Sequence, residues 1–172
     1  MTKKEIIKKI EKLFYNKSFA NVSMQDIAVE LWMKKASLYY HFLSKDDILK
    51  EVIEQSFQEY NNFINKIIIL DLWDFIKSFL YYPEKNKNLF SIINQNWYCE
   101  NTKLKGEVML KQKQILQNIS SNLKQKYNFS VEKSFLLISI LEDIWRKKCI
   151  FWSCPIDSDM LLKEIQNLFI KN

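Results

Sequence analysis

The residues of this chain that are best suited to chemistry stand together between Lys34 and Lys45. The segment reads KKASLYYHFLSK and contains three lysines, two tyrosines, two serines and the single histidine of the chain. A histidine that acts as a general base needs a nucleophile and an orienting carboxylate, but the nearest acids, Asp46 and Asp47, open the next predicted helix. The pattern therefore does not predict an active site. It leaves open a piece of the core or a surface that meets a partner.

No other segment indicates catalysis or a bound metal. The chain has one glycine, Gly106, and so has no glycine-rich phosphate loop. Cys149 and Cys154 have no further ligand near them in sequence, and we expect them to be buried beside their aromatic neighbours. We predict that the chain is not an enzyme and needs no metal or cofactor.

Composition indicates an all-helical protein in the cytoplasm. Apolar residues make up 48% of the 172 positions, and one glycine and two prolines leave few residues for hairpin turns. Three cysteines, an odd number, and no signal-peptide pattern favour a reducing compartment. No apolar run approaches the length that a membrane span needs, about 18 residues. The first 50 residues contain 10 lysines against 6 acidic residues, so much of the basic excess lies there.

Hydrophobic periodicity and capping signals predict a series of helices. A first helix covers 3–15, a second starts at the cap Ser23 with Asp26 as its partner, and a third covers 35–42. A long fourth helix follows the cap sequence that starts at Ser44. Further helices are predicted near 71–82, 84–99, 103–127, 130–152 and 157–170, with breaks at Pro83 and Pro155 among the boundaries.

Two short helices joined by a tight turn are typical of a helix-turn-helix. The run from Ala36 to Phe42, followed by Lys45, resembles the TetR family of bacterial regulators, as do Ser23, Ile27 and Ala28 upstream. The resemblance covers residues 3–55. It implies a helix-turn-helix DNA-binding domain at 1–46, joined through a long fourth helix to an all-helical domain at 47–172 that binds a ligand and forms a homodimer.

The resemblance also assigns the DNA contacts by position. Ser23 and Lys45 would bond backbone phosphates, and His41 would lie near the backbone. The remaining residues expected at the DNA are Lys34, Lys35, Ala36, Ser37, Tyr39 and Tyr40. Because the chain's single arginine is Arg146, far from this region, we expect weak guanine readout and a palindromic, A·T-rich double-stranded operator.

Three positions depart from the family pattern. Trp32 and Ala36 stand where the family usually has glycine, and Lys34 stands where it has a capping serine. If Trp32 keeps a positive φ, the turn loses about 1–2 kcal/mol, and the missing cap costs about 0.5–2 kcal/mol. We expect the Trp32 indole to pack beside the first helix, with a DNA-facing wedge as the alternative.

The second domain is expected to hold a small hydrophobic or cationic aromatic inducer. The predicted pocket residues are Trp73, Phe79, Phe90, Asn94, Trp97, Tyr98, Phe135 and Glu142. Residues 131–151 and 157–169 would form the homodimer interface as a four-helix seam. The predicted function is a repressor that this ligand releases from its operator. The alternative is a dimer of the same fold that has lost operator recognition and acts through protein contacts.

Overall fold

The computed structural model describes residues 2–17, 19–86, 102–151 and 158–170. These residues form eight α-helices and no strand, as predicted from composition. The helices are α1 Lys3–Lys17, α2 Met24–Glu30, α3 Lys35–His41, α4 Lys45–Ile67, α5 Leu72–Lys85, α6 Thr102–Tyr127, α7 Val131–Phe151 and α8 Ser158–Phe169. In the part of the chain that is described, no helix is both long and apolar enough to cross a membrane.

The described chain divides into two compact units. The first contains residues 2–59 and 102–109, and the second contains 60–86, 110–151 and 158–170. The first unit therefore continues beyond residue 46, where the predicted functional division lies, and includes more than half of α4. Most of the predicted helix at 84–99 and the side chains of Cys149 and Cys154 lie outside the residues described.

The first unit has an apolar core built from evenly spaced side chains. Helix α1 buries Ile6, Ile10 and Phe14 on one face, as the periodicity predicts. Helix α3 buries one side chain, Leu38, and Phe42 follows it into the core. Because only Leu38 and the following Phe42 anchor α3 in the core, most of the surface of α3 is exposed.

Local capping fixes where α2 and α4 begin. The Asp26 N–H donates to Ser23 Oγ at 3.2 Å and the Ser23 N–H donates to Asp26 Oδ2 at 2.8 Å, which completes the predicted capping box. At α4, the Asp47 N–H donates to Ser44 Oγ at 3.1 Å. Both predicted helix starts are confirmed.

One predicted helix boundary in the second unit is wrong. We predicted that Pro83 ends the helix at Tyr82, but α5 continues through Pro83 to Lys85. Proline has no N–H, so the Phe79 carbonyl one turn earlier loses its usual helical donor. The indole N–H of Trp145 on α7 donates to that carbonyl instead, and the Trp145 and Phe79 rings stack with centroids 4.2 Å apart. The prediction was wrong because this donor comes from a distant segment.

Candidate DNA-binding surface

The exposed face of α3 carries most of the residues predicted to contact DNA. Lys34, Lys35, Ala36, Ser37, Tyr40 and His41 are all exposed, and Tyr39 is 44% exposed. Since α3 buries Leu38 alone, these side chains are available together on one short helix and its N-terminal flank. The surface combines ammonium groups, hydroxyls and aromatic rings, which suits contact with phosphates and base edges.

Neighbouring side chains restrain the aromatic part of this surface. The Lys35 ammonium lies 5.9 Å from the centroid of the Tyr39 ring, and the Tyr40 and His41 rings meet edge to face at 5.4 Å. Tyr40 is nevertheless 87% exposed. The two tyrosines therefore have contacts within the chain and remain exposed.

Ser23 and Lys45 already have partners within the first unit. The Ser23 hydroxyl donates to Asp26 Oδ2 at 2.5 Å, and these Ser23 hydrogen bonds lower the pKa of the Asp26 carboxyl. The Lys45 ammonium donates to the Phe19 carbonyl at 3.0 Å and lies 4.3 Å from the Phe19 ring centroid. An ammonium has three donors, so Lys45 can still bond a phosphate. Ser23 could donate its hydroxyl to a phosphate only by turning it away from Asp26.

The turn between α2 and α3 has a positive φ of 55° at Trp32. The Met33 N–H donates to the Ala28 carbonyl at 2.9 Å and the Trp32 N–H donates to the Val29 carbonyl at 3.0 Å. These two bonds form a Schellman motif, whose left-handed position is normally glycine. A tryptophan there costs about 1–2 kcal/mol relative to a relaxed backbone.

The expected packing of Trp32 beside the first helix is wrong, because its side chain is 94% exposed. The preceding residue, Leu31, is only 3% exposed, and the following residue, Met33, is half-buried. These two neighbours occupy the inward directions of the turn, and Trp32 between them points into water.

Lys34 precedes α3 without capping it. Its backbone is extended, with φ −69° and ψ 141°, and its side chain makes no capping hydrogen bond. The Lys34 carbonyl still accepts from the Ser37 and Leu38 N–H groups at 2.9 and 3.2 Å. The predicted loss of the side-chain cap is thus confirmed.

Residues 6–52, which include α1 to α3 and the start of α4, match the tetR family of bacterial regulatory proteins. This N-terminal region belongs to the TetR family. Over 62 residues it is 40% identical to the biofilm operon icaADBC negative transcriptional regulator IcaR of Staphylococcus aureus. That match covers 36% of this chain and 33% of IcaR, so it spans about a third of the relative.

Two solved structures share the fold of this chain over nearly its whole length. The regulator PfmR of Thermus thermophilus has a TM-score of 0.75 and 21% identity, over 100% of this chain and 97% of PfmR. AibR, crystallised with isovaleryl coenzyme A and operator DNA, has a TM-score of 0.71 and 16% identity, over 96% and 97%. The matched family consists of transcriptional regulators, which agrees with the prediction that the chain is not an enzyme.

The predicted ligand-pocket residues are only partly within the described structure. Phe79 is fully buried, Trp73 and Glu142 are half-buried, and Phe135 is 57% exposed. The other four, Phe90, Asn94, Trp97 and Tyr98, lie outside the residues described. The structure therefore places Phe79 and Phe135 in different environments.

An aromatic cluster in the second unit includes residues that the predicted pocket omits. The Phe63 and Tyr82 rings stack with centroids 3.6 Å apart, and the Tyr60 and Trp145 rings lie 5.6 Å apart. Burial raises the pKa of the Tyr60 hydroxyl well above its usual value, and Glu142 raises it further. Tyr60 and Phe63 are three residues apart on α4, and this helical spacing is the signal that could have placed them together.

Proposed function

We propose that this chain is a DNA-binding transcriptional repressor. The observation that carries the proposal is the exposed face of α3. From Leu31 to Lys45 the chain contains three lysines and no acidic residue, and α3 leaves its lysine, hydroxyl and aromatic side chains in water. A positive surface of this kind binds the phosphate backbone. The likeness to IcaR, a negative regulator, supports repression over activation.

The residues of α3 favour an A·T-rich operator. No arginine is present before Arg146, so the bidentate arginine contact to guanine is absent from this surface. The methyl group of Ala36 and the ring of Tyr39 are suited to pack on thymine methyl groups. Lys34 and Lys35 contribute phosphate contacts, which position the helix without selecting bases.

A homodimer would present two copies of α3 to a palindromic site. Several large apolar side chains on α7 and α8 are more than half exposed in the single chain: Val131, Phe135, Leu136, Met160 and Leu168. They fall within the predicted interface at 131–151 and 157–169. Burial of these side chains against a second copy would remove them from water, and the two-fold symmetry of such a dimer matches operator palindromy.

The aromatic cluster of Tyr60, Phe63, Tyr82 and Trp145 supports release by a small hydrophobic or cationic aromatic ligand. Aromatic faces attract organic cations, and the half-buried Glu142 adds a negative charge near Tyr60. AibR shows that one chain of this fold can hold both an acyl coenzyme A and operator DNA.

The alternative function is a dimer of this fold that acts through protein contacts. Its support is the exposed indole of Trp32 next to the uncapped Lys34, since exposed aromatic residues are common at protein interfaces. Specific DNA binding separates the two functions.

Fluorescence anisotropy measures DNA affinity and so tests the proposed repressor function. The purified protein is titrated onto a palindromic fragment from its own promoter region and onto a scrambled fragment, over about 50 to 200 mM salt. We expect Tyr39→Ala and Lys35→Ala each to weaken binding to the palindromic fragment by about tenfold, and Lys35→Ala also to lower the salt slope by about one.

Lys113→Ala is the charge-matched control, because Lys113 is an exposed lysine of α6 in the second unit. It should leave the affinity and the salt slope unchanged. Binding that is equal on both fragments, and that neither α3 variant weakens, would contradict the proposed function and favour the protein-contact alternative.

A further inference from the structure

Trp32 has a strained backbone conformation and an exposed side chain. Its φ of 55° is a conformation that glycine adopts freely and that L-residues rarely adopt. Its indole is 94% exposed, so burial within the chain does not offset the strain. Within the described part of the chain, the indole makes no hydrogen bond and no ring contact. Contacts within the described residues therefore do not explain a tryptophan at this position.

The backbone around Trp32 holds the indole in a defined place. The two Schellman bonds, from Trp32 to Val29 and from Met33 to Ala28, fix the turn on both sides of the residue. Leu31 is buried immediately before it. The indole is therefore presented by a rigid turn directly before the N-terminal flank of α3.

The charge around Trp32 selects a polyanion as the partner. One exposed carboxylate, Glu30, precedes the turn, but the residues that follow, Lys34 and Lys35, are exposed lysines, and no acidic residue occurs after Trp32 until Asp46. The indole N–H is a donor only, and phosphate oxygens are acceptors only. The apolar face of the ring can pack on deoxyribose while the N–H bonds a phosphate oxygen. A second copy of the chain would bring the same positive surface against itself.

We propose that Trp32 is a further DNA-contacting residue whose indole packs against the sugar–phosphate backbone beside α3. This inference rests on the proposed DNA-binding function. Because the backbone is the same for every sequence, Trp32 contributes affinity and not base selection. The residue therefore weakens the turn and strengthens binding, two effects that a purely structural residue would not combine.

Trp32→Gly tests the proposal because it relieves the strain and removes the indole together. We expect the melting temperature to rise by a few degrees. We also expect the affinity for the palindromic and scrambled fragments to fall by a similar factor, about five to tenfold. Trp32→Asn, which also tolerates a positive φ, should behave in the same way and guards against a folding defect of the glycine variant.

Trp32→Phe separates ring packing from hydrogen bonding. Phenylalanine keeps a ring but has no N–H, so its affinity should lie between those of the wild type and Trp32→Gly. Val29→Ala is the matched control, because Val29 is a neighbouring apolar side chain that is 66% exposed. It should leave DNA affinity unchanged.

The outcomes distinguish this inference from the proposed function. If Tyr39→Ala weakens wild-type binding but Trp32→Gly and Trp32→Asn bind both fragments as tightly as the wild type, Trp32 does not contact DNA. If the wild type shows no binding that depends on Tyr39, the proposed function fails and the role of Trp32 fails with it. A loss for Trp32→Gly on the palindromic fragment alone would overturn the backbone contact, since it would indicate base selection.

Discussion

Trp32 and Trp145 are the same residue type in opposite situations. Trp32 lies in the first unit, 94% exposed, at a backbone conformation that disfavours it. Trp145 lies in the second unit, 3% exposed, stacked on Phe79 and bonded to the carbonyl that Pro83 leaves without its usual donor. One tryptophan costs stability and the other supplies it. The difference indicates that Trp145 stabilises the fold, whereas the exposed side chain of Trp32 is available to contact a partner.

The same contrast extends to other residues of the two units. The first unit contains a half-buried Glu11 close to the negative charge of Glu59, and an exposed glycine, Gly106, inside α6. Each of these lowers the stability of the folded unit. In the second unit, Pro83 lies inside α5, and Trp145 compensates for it. Substitution of these residues should therefore raise the free energy of unfolding in the first unit, and substitution of Trp145 should lower it in the second.

The largest effect is expected at Trp145. Trp145→Ala removes a buried ring and should lower the free energy of unfolding by about 3–5 kcal/mol. Trp145→Phe keeps most of the ring but leaves the buried Phe79 carbonyl without the indole donor, which should cost about 1–3 kcal/mol. Urea unfolding, followed by circular dichroism, measures both.

Pro83→Ala supplies the control for the hydrogen bond. An alanine at this position has the N–H that can donate to the Phe79 carbonyl within α5. In the Pro83→Ala background, Trp145→Phe should therefore cost less than it does in the wild type. An equal cost in both backgrounds would show that Trp145 contributes through ring packing alone, and the comparison with Trp32 would then lose its hydrogen-bond component.

A smaller effect, with the opposite sign, is expected at Glu11. Burial raises the pKa of Glu11 to about 7 from the usual 4.5, and the nearby charge of Glu59 raises it as well. The folded state then holds an extra proton between about pH 4.5 and 7, so stability falls as the pH rises through this window. Glu11→Gln should remove this fall and increase stability above pH 7 by about 1–2 kcal/mol, allowing for the exposed part of the side chain.

Urea unfolding at several pH values between 4.5 and 8 checks the prediction for Glu11. Glu164→Gln is the control, since Glu164 is an exposed carboxylate of α8 in the second unit. It should leave the pH dependence as it is in the wild type. A Glu11→Gln variant whose stability falls over this range as steeply as that of the wild type would show that Glu11 does not cause the fall.

Local signals predicted much of the first unit. The caps at Ser23 and Ser44 were predictable because each involves residues three apart, and the missing cap at Lys34 followed from residue type. The direction of the Trp32 side chain was not predictable, because it depends on where Leu31 and Met33 find space in the folded core. Local sequence determines the backbone conformation of the turn, and tertiary packing determines the direction of the Trp32 side chain.

In the second unit, contacts between distant residues limited the prediction. Pro83 carries a strong local signal for a helix end, and nothing near it in sequence shows that Trp145 offsets the missing hydrogen bond. The aromatic cluster was missed in part for the same reason, since Tyr60 and Phe63 on α4 meet Tyr82 at the end of α5. The composition of the unit indicated an aromatic core but not which rings meet.

The smallest effect is expected at Gly106. Its φ is not positive, and a Cβ added there would meet no atom within 4 Å, so alanine fits without strain. Because glycine inside a helix has more freedom to lose on folding, Gly106→Ala should raise the free energy of unfolding by about 0.5–1 kcal/mol. Thermal unfolding measures the gain. A loss of stability would show that the first unit needs glycine at this point of α6, and Gly106 would then no longer belong with Trp32 among the residues that cost the fold stability.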